Sequence, residues 1–243
     1  MKTILYTLFF TSTLLLTSCS IYEDVYFKQD GQVRYEIKFD AGEILAMIPD
    51  AADKAGDLPS GSIISVVDLL KQKGGSSKLL IENKEDIENI TPLFLEMRND
   101  KANQILTITM FGDFTNVEAL NKALISINKL QEKGKKEGMK NSNIGIDRIT
   151  NTSSFTWDGK TMKRKLDLSQ IVNEAAGNKN DMISKMFSQG KMTINYHFPE
   201  KVDKANNSDA LISQDGKTVI VEYSASKFLK SDNSLDIEIT TKK

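Results

Sequence analysis

The chain has 243 residues, of which 40% are hydrophobic and 27% are charged, as in an ordinary folded globular protein. Its formal net charge of -1 excludes the strongly basic surface that nucleic-acid binding usually requires. The single Cys and the single His exclude a metal site built from these residue types, and no sequence pattern predicts a cofactor.

Residues 1–18 have the features of a lipoprotein signal peptide. Lys2 supplies a positive charge, and the mostly apolar stretch that follows is too short to span a bilayer. Leu16-Thr17-Ser18-Cys19 then has the form of a bacterial lipobox, in which the Cys thiol receives acyl chains such as palmitate and becomes the mature N-terminus. The sequence therefore predicts a membrane anchor at Cys19. The alternative is a plain signal peptide with an incidental Cys.

The residues after Cys19 bear on the location of the protein. Ser20, rather than Asp, is typical of lipoproteins that are released to the outer membrane. Glu23-Asp24 resembles the acidic surface-export signal of some Bacteroidota lipoproteins, but it is only two residues long. These features favour the outer membrane, and its periplasmic face over the cell surface.

A strand is predicted at 21–28, directly after the anchor, and a second follows the turn Gln29-Asp30-Gly31. In the second strand Val33, Tyr35, Ile37 and Phe39 alternate with polar residues, which is the pattern of a half-buried strand. A tether of two or three residues reaches only about 10 Å. We expect residues 19–243 to form one domain held close to the leaflet.

Further hairpins and helices alternate along the chain in blocks. Helices are predicted at 41–48, 62–73, 168–176 and 181–188, and after the capping-box sequence Thr115-Asn116-Val117-Glu118. Strands are predicted at 93–99, 105–111, 153–157, 160–166, 192–198, 218–223 and 235–240. This order predicts an α+β fold in which antiparallel hairpins form a sheet with helices packed against it.

The two ends of the sequence resemble LppM-type bacterial lipoproteins. The resemblance is carried by the lipobox, the early hairpin, the strand that ends in Phe198-Pro199 and the turn-strand Ser213-Gln214-Asp215-Gly216-Lys217-Thr218-Val219. It covers about 20–50 and 190–240 and is thin in between. It implies an α+β domain related to lipid-binding modules of the tubular-lipid-binding type, with no catalytic residues.

Few residues are candidates for catalysis. His197 would need a partner Ser and an acid to act as a general base, and the sequence has no G-x-S-x-G elbow. We therefore expect His197 to be a structural or exposed strand residue. Lys160 and Lys163-Arg164-Lys165 form a small basic patch that either contacts lipid phosphates or is a solvated strand end.

Two segments carry more apolar residues than one helix face needs. In the first segment, 62–73, Ile64 and Leu69 extend the apolar surface. In the second, 181–188, Met182 and Met186 lie near Phe187 in the sequence. Met adapts to varied apolar partners, so these residues are candidates to line an acyl-chain groove: Ile64, Leu69, Met182, Met186 and Phe187. The alternative is a well-packed core.

The sequence predicts a non-enzymatic binding module, anchored to the membrane through Cys19, that contacts lipid or glycolipid of the envelope. The alternative is a structural lipoprotein that docks an envelope protein complex. A continuous apolar cavity would favour the first hypothesis, and a filled core with one exposed apolar patch would favour the second.

Overall fold

The computed structural model describes residues 20–40, 42, 60–72, 77–100, 102–136, 153–166, 191–224 and 236–242. The predicted signal peptide, Cys19, and the helices predicted at 41–48, 168–176 and 181–188 lie outside the described residues, apart from position 42.

Within the described residues, twelve strands and four helices follow one another in blocks. The strands are β1 Ser20–Phe27, β2 Val33–Asp40, β3 Ser62–Ser65, β4 Leu93–Asp100, β5 Ile105–Phe114, β6 Ser153–Trp157, β7 Thr161–Leu166, β8 Lys191–His197, β9 Val202–Ala205, β10 Leu211–Ile212, β11 Thr218–Ser224 and β12 Ile237–Thr241. The helices are α1 Val66–Gln72, α2 Ser77–Glu82, α3 Lys84–Ile90 and α4 Val117–Lys136.

Eight strands form one sheet in the order β10-β11-β8-β1-β2-β5-β4-β3. All neighbours in it are antiparallel except β1 and β8, which run parallel with Ser20 opposite Lys191 and Tyr26 opposite His197. We call the end of this sheet at Ser20 the proximal end, and the end at Phe27 the distal end. At about 3.3 Å per residue, β1 separates the two ends by about 23 Å.

The alternating sequences of β1 and β2 decide which face of the large sheet is buried. Val25 and Phe27 point inward with Val33 and Tyr35, and each is at most 3% exposed. The residues between them point to the opposite side, which we call the outer face, and are half-buried. A strand with one apolar side gains most of its stabilisation by burying that side.

A second sheet, in the order β6-β7-β12-β9, packs with α4 against the inner face of the first. The α+β prediction is confirmed, with two differences. The strands form two sheets rather than one, and the large sheet is mixed because it contains the parallel β1–β8 pair. Hairpin turns reveal only neighbours in sequence, so a pairing between residues 171 positions apart leaves no local signal.

The helix predicted at 62–73 is wrong in its first turn. Residues Ser62–Ser65 form β3, which pairs with β4 so that Ile63 lies opposite Glu96 and Ile64 opposite Leu95. The helix begins at Val66, where the Ser65 hydroxyl accepts a hydrogen bond from the Asp68 N–H at 3.0 Å. Two adjacent β-branched residues fit a pleated strand, and the Ser cap ends it.

Helix α4 starts one residue later than the capping-box pattern predicts. Asn116, rather than Thr115, caps the helix, because its Oδ1 accepts a hydrogen bond from the Ala119 N–H at 2.9 Å. The helix buries an apolar stripe against the core, in which Leu120 and Leu124 are fully inaccessible to solvent.

Helix α4 also closes one edge of the smaller sheet. The Asn121 Oδ1 accepts a hydrogen bond from the Phe155 N–H at 2.9 Å, and the Asn121 Nδ2 donates to the Phe155 carbonyl at 2.7 Å. The amide thereby satisfies the groups that a neighbouring strand would otherwise bind.

Candidate functional site

Large apolar side chains are exposed on the outer face where β3, β4 and β5 lie side by side. Ile63 is 61% exposed, Ile105 42% and Phe94 38%, and the Phe94 ring stacks on the half-buried Phe111 with centroids 5.9 Å apart. We call these four residues the proximal patch. Strand register places Ile63 on the same cross-sheet row as Tyr22, which is three residues after Cys19.

Cations lie over the aromatic rings beside the proximal patch. The Arg34 guanidinium carbon is 5.4 Å from the centre of the Phe111 ring, and the Lys38 Nζ is 4.6 Å from the centre of the Tyr22 ring. Arg34 also binds the Asp113 carboxylate at 3.0 Å, whereas Lys38 has no ion pair within the described ranges. Aromatic and basic side chains in this combination suit the interface between lipid headgroups and acyl chains.

His197 lies on the outer face of β8, in contact with neighbouring strands on both sides. Its Nε2 is 2.8 Å from Asp24 Oδ1, and its Nδ1 is 3.1 Å from Thr218 Oγ1. The imidazole stacks on Tyr26 with ring centroids 4.1 Å apart. Burial, followed by the charges of Asp24 and Glu36, raises the pKa of the Tyr26 phenol.

The contacts of His197 with Thr218 and Asp24 bring together the residue types of a hydrolytic triad. All three residues lie on adjacent strands that are regularly hydrogen-bonded to one another. β8 pairs with β11 on one side and with β1 on the other. The backbone N–H groups on both sides are therefore engaged between strands, and oxyanion stabilisation requires such donors to point at the substrate. This geometry suits a contact that ties β11, β8 and β1 together.

Beneath the outer face, a charged pair joins the two sheets. Arg164 Nη2 on β7 lies 2.7 Å from Glu23 Oε2 on β1, and both side chains are fully buried. Arg164 also donates to the Tyr196 hydroxyl at 3.0 Å and to the Ser153 hydroxyl at 2.7 Å. Its guanidinium carbon lies 4.9 Å from the centre of the Phe155 ring.

The pKa values of the titratable groups in this buried cluster depend on one another. Burial disfavours the Arg164 cation, but Glu23 and the hydroxyl of Tyr196 outweigh it, so the pKa of Arg164 is raised above its ordinary value. Burial, together with the Glu23 charge, raises the pKa of the Tyr35 hydroxyl well above 10.0. Arg164 is therefore a cation and Tyr35 a neutral phenol at neutral pH.

A cleft of about 700 Å³ opens at the distal end. It is bounded by the β1–β2 turn, the start of α4, the β6–β7 turn and the residues after β8, and its lining includes Gln29, Asn116, Glu118, Trp157 and Glu200. The Trp157 ring packs against Phe27 and Phe198, with centroids 5.1 and 5.6 Å away.

The two described residues of the predicted acyl-chain groove lie on the core side of the fold. Leu69 is 8% exposed and belongs to the main hydrophobic core, and Ile64 is half-buried and packs against that core. Met182, Met186 and Phe187, and the predicted lipidation site Cys19, lie outside the described residues. The exposed apolar residue of this segment is Ile63, the neighbour of Ile64.

The predicted basic patch is divided between two faces of β7. Lys163 and Lys165 are exposed, and Lys163 forms an ion pair with Glu238 at 3.0 Å. Arg164 points into the core, so a patch that includes it is wrong. Glu23, one of the two acidic residues that follow the predicted anchor, is also buried.

Sequence reasoning missed the pairing of Glu23 with Arg164, although each residue left a signal. Glu23 occupies an inward position between Ile21 and Val25, and Arg164 occupies an inward position two residues after Met162. A charge on the apolar side of a strand predicts a buried partner of opposite sign.

No helix of the described ranges is long and apolar enough to cross a membrane. The same ranges contain no group of three or more His, Cys, Asp or Glu side chains that could hold a metal ion.

Among solved structures, the chain has a weak likeness to a lipoprotein domain. No protein-family model and no curated protein matches the chain. The NMR structure of the folded domain of Mycobacterium tuberculosis LppM is similar over 94% of this chain and 94% of that chain, with 9% sequence identity and a TM-score of 0.41. LppM-type lipoproteins are also the proteins that the two ends of the sequence resemble. A likeness at this level says nothing about ligand or activity.

Proposed function

We propose that this protein is a lipid-anchored envelope lipoprotein, and that it is a non-enzymatic module whose proximal patch contacts membrane lipid. The observation that carries the proposal is the position of the patch at the end of the sheet where β1 begins. Lipidation of Cys19 would hold Ser20, and with it this end of the sheet, against the leaflet.

The described core is packed and the apolar patch is exposed, which also fits the docking alternative. The position of the patch beside the predicted anchor site favours contact with the lipid interface, and not enclosure of a whole lipid. Ile63 lies four strand spacings from Tyr22, which is about 20 Å across the sheet. Each buried methylene contributes about 0.8 kcal/mol, so a few exposed apolar side chains add modestly to the affinity of an acyl anchor. Lys38, which lies opposite Tyr22 near the proximal end, would meet the phosphate groups of the same leaflet.

Depth measurements on the lipidated full chain in phospholipid vesicles would test this proposal. Cys19 is the only Cys, so after lipidation an introduced Cys is the sole free thiol. A nitroxide label would be placed at Ile63→Cys, at Gln29→Cys on the distal end, or at Ile81→Cys on α2, where the native Ile is 64% exposed.

We expect the label at position 63 to be protected from a water-soluble relaxation agent, and the labels at 29 and 81 to stay accessible. Protection at 63 should be lost when Phe94 is replaced by Asp in the same chain. Equal accessibility at all three positions would exclude lipid contact by this face. The alternative function, docking of an envelope protein complex, would then be favoured.

A further inference from the structure

The distal cleft has the size and the lining of a site for a small polar ligand. Its volume of about 700 Å³ lies within the 300–1,000 Å³ that is usual for ligand pockets. Four separate chain segments form its walls, two of which are turns at Gly31 and Gly159 with φ of 83° and 89°. An added Cβ at either glycine would meet no atom within 4 Å, so these turns leave the mouth open.

Trp157 gives the cleft a flat apolar surface with a hydrogen-bond donor at its edge. The ring is held from behind by the stacked pair Phe27 and Phe198, whose centroids are 5.3 Å apart. Its indole N–H has no hydrogen-bond partner within the described part of the chain. A half-buried Trp of this kind usually finds such a partner.

The polar groups around Trp157 are planar amides and carboxylates. Asn116 uses its Oδ1 to cap α4, which leaves its amide nitrogen as a donor. The Gln29, Glu118 and Glu200 side chains make no hydrogen bond or ion pair with other described residues, and all three line the cleft. Together these groups offer both donors and acceptors around one aromatic face.

The charged side chains that line the cleft disfavour one class of ligand, the anions. Asp30 and Asp158 add two more carboxylates, and Lys28, the nearest cation, is bound to Asp113 at 3.0 Å. Hydrogen bonds from the backbone of Thr161 and Lys160 lower the pKa of Asp158, so this carboxylate stays ionised at neutral pH. An anionic ligand would therefore be repelled.

We infer that the distal cleft binds an uncharged saccharide. A sugar ring presents an apolar C–H face, which would lie on Trp157, and a rim of hydroxyls, which both donate to carboxylates and accept from N–H groups. The inference is independent of lipid contact by the proximal patch, because the two surfaces lie at opposite ends of β1. If the anchor is at Cys19, this site faces away from the leaflet.

Fluorescence titration would test the inference directly, because Trp157 is the only Trp in the chain. The full chain would be held in a polyoxyethylene detergent, which has neither a sugar headgroup nor a charge. The probes would be maltotriose, mannotriose, tri-N-acetylchitotriose and, as an anionic control, trigalacturonate. We expect a saturable change in emission with at least one uncharged trisaccharide and none with trigalacturonate.

The variant Glu118→Ala/Glu200→Ala should weaken that binding at least tenfold. Glu88→Ala/Glu132→Ala, which removes two exposed carboxylates on α3 and α4 away from the cleft, should leave it unchanged. Urea denaturation of each variant would verify that it is folded. The inference is overturned if no uncharged trisaccharide saturates the signal, if trigalacturonate binds equally well, or if the folded cleft variant binds like the parent chain.

Discussion

The Arg164 guanidinium lies 2.7 Å from the Glu23 carboxylate, with both groups fully buried between the two sheets. A charge left alone at such a position is strongly destabilising. We therefore expect Arg164→Met to lower the free energy of unfolding by about 3 kcal/mol. Urea denaturation, monitored by Trp157 fluorescence, would measure this loss in the free energy of unfolding.

The exposed ion pair next to the buried Arg164–Glu23 pair provides a matched control. Lys163 pairs with Glu238 on the exposed side of the same strand, so Lys163→Met should change stability by less than about 1 kcal/mol. Adding Glu23→Leu to Arg164→Met should restore part of the lost stability, because no unpaired charge remains. A small loss in the Arg164→Met variant alone would contradict a structural role for the pair.

Ile63 and Ile64 are adjacent in sequence but belong to opposite faces of β3. Ile64→Glu would bury a carboxylate against the core and should lower the free energy of unfolding by several kcal/mol. Ile63→Glu, at a position 61% exposed, should change it by less than about 0.5 kcal/mol. Equal losses in the two variants would contradict the described register of β3 on β4.

The amide of Asn121 satisfies both backbone groups of Phe155. Asn121→Ala leaves these groups without partners and should lower stability by about 2 kcal/mol. Hydrogen exchange at the Phe155 N–H should become faster, whereas Lys122→Ala, at the next and exposed position, should leave that rate unchanged. Unchanged exchange in Asn121→Ala would show that the edge of β6 is protected by other groups.

Asp113 bridges Lys28 and Arg34 across β2. Partial burial would raise the pKa of Asp113, but the two cations outweigh it and hold that pKa below the ordinary 3.8. A lowered pKa in the folded state stabilises the fold above the pKa of the unfolded chain, and the effect is lost as the pH falls through the folded value.

Asp113→Asn should therefore reduce stability at pH 7 by less than about 1 kcal/mol, because the pair is half exposed. The difference from the parent chain should shrink as the pH falls below 3.8, vanish once the carboxyl is protonated in the folded state, and shrink at high salt. Denaturation across pH 2–7 would measure it, with Asp203→Asn as a control on β9. A difference that grows on acidification would contradict the assignment.

The lipobox leads to a prediction about processing. Cys19→Ala removes the thiol that would carry the lipid and should block both lipidation and normal cleavage. Detergent-phase partitioning and mass spectrometry of the mature chain would test it. A Cys19→Ala variant that still enters the detergent phase with a mature-sized mass would show that Leu16-Thr17-Ser18-Cys19 is not a lipobox.

Nine of the twelve described strands are predicted from the sequence because their alternation is local, whereas β3 and the short strands β9 and β10 are not. β2 and the turns at Gly31 and Gly159 follow from patterns of a few residues, and both glycines have positive φ. Residues Ser62–Ser65 are wrongly predicted as helix, because a short apolar run fits a helix as well as a strand. Its neighbour β4 decides the conformation, and a single-sequence pattern does not show that neighbour.

The surfaces with functional potential were harder to predict than the strands. Ile63, Phe94 and Ile105 lie on three different strands, so only sheet pairing brings them together. The tertiary fold likewise brings Gln29, Glu118 and Glu200 from separate segments into the cleft that Trp157 lines. Each of these residues is unremarkable in its own segment, which is why no motif indicated the proximal patch or the distal cleft.

The parallel pairing of β1 with β8 also has a consequence for the order of assembly. β1 is synthesised well before β8, because one of its two partners follows 171 residues later in the chain. Until β8 arrives, β1 is an unprotected edge strand, open to pairing with other chains. Closure of a loop this long slows folding. A nascent chain of this protein is therefore exposed to self-association through β1 until β8 has been synthesised.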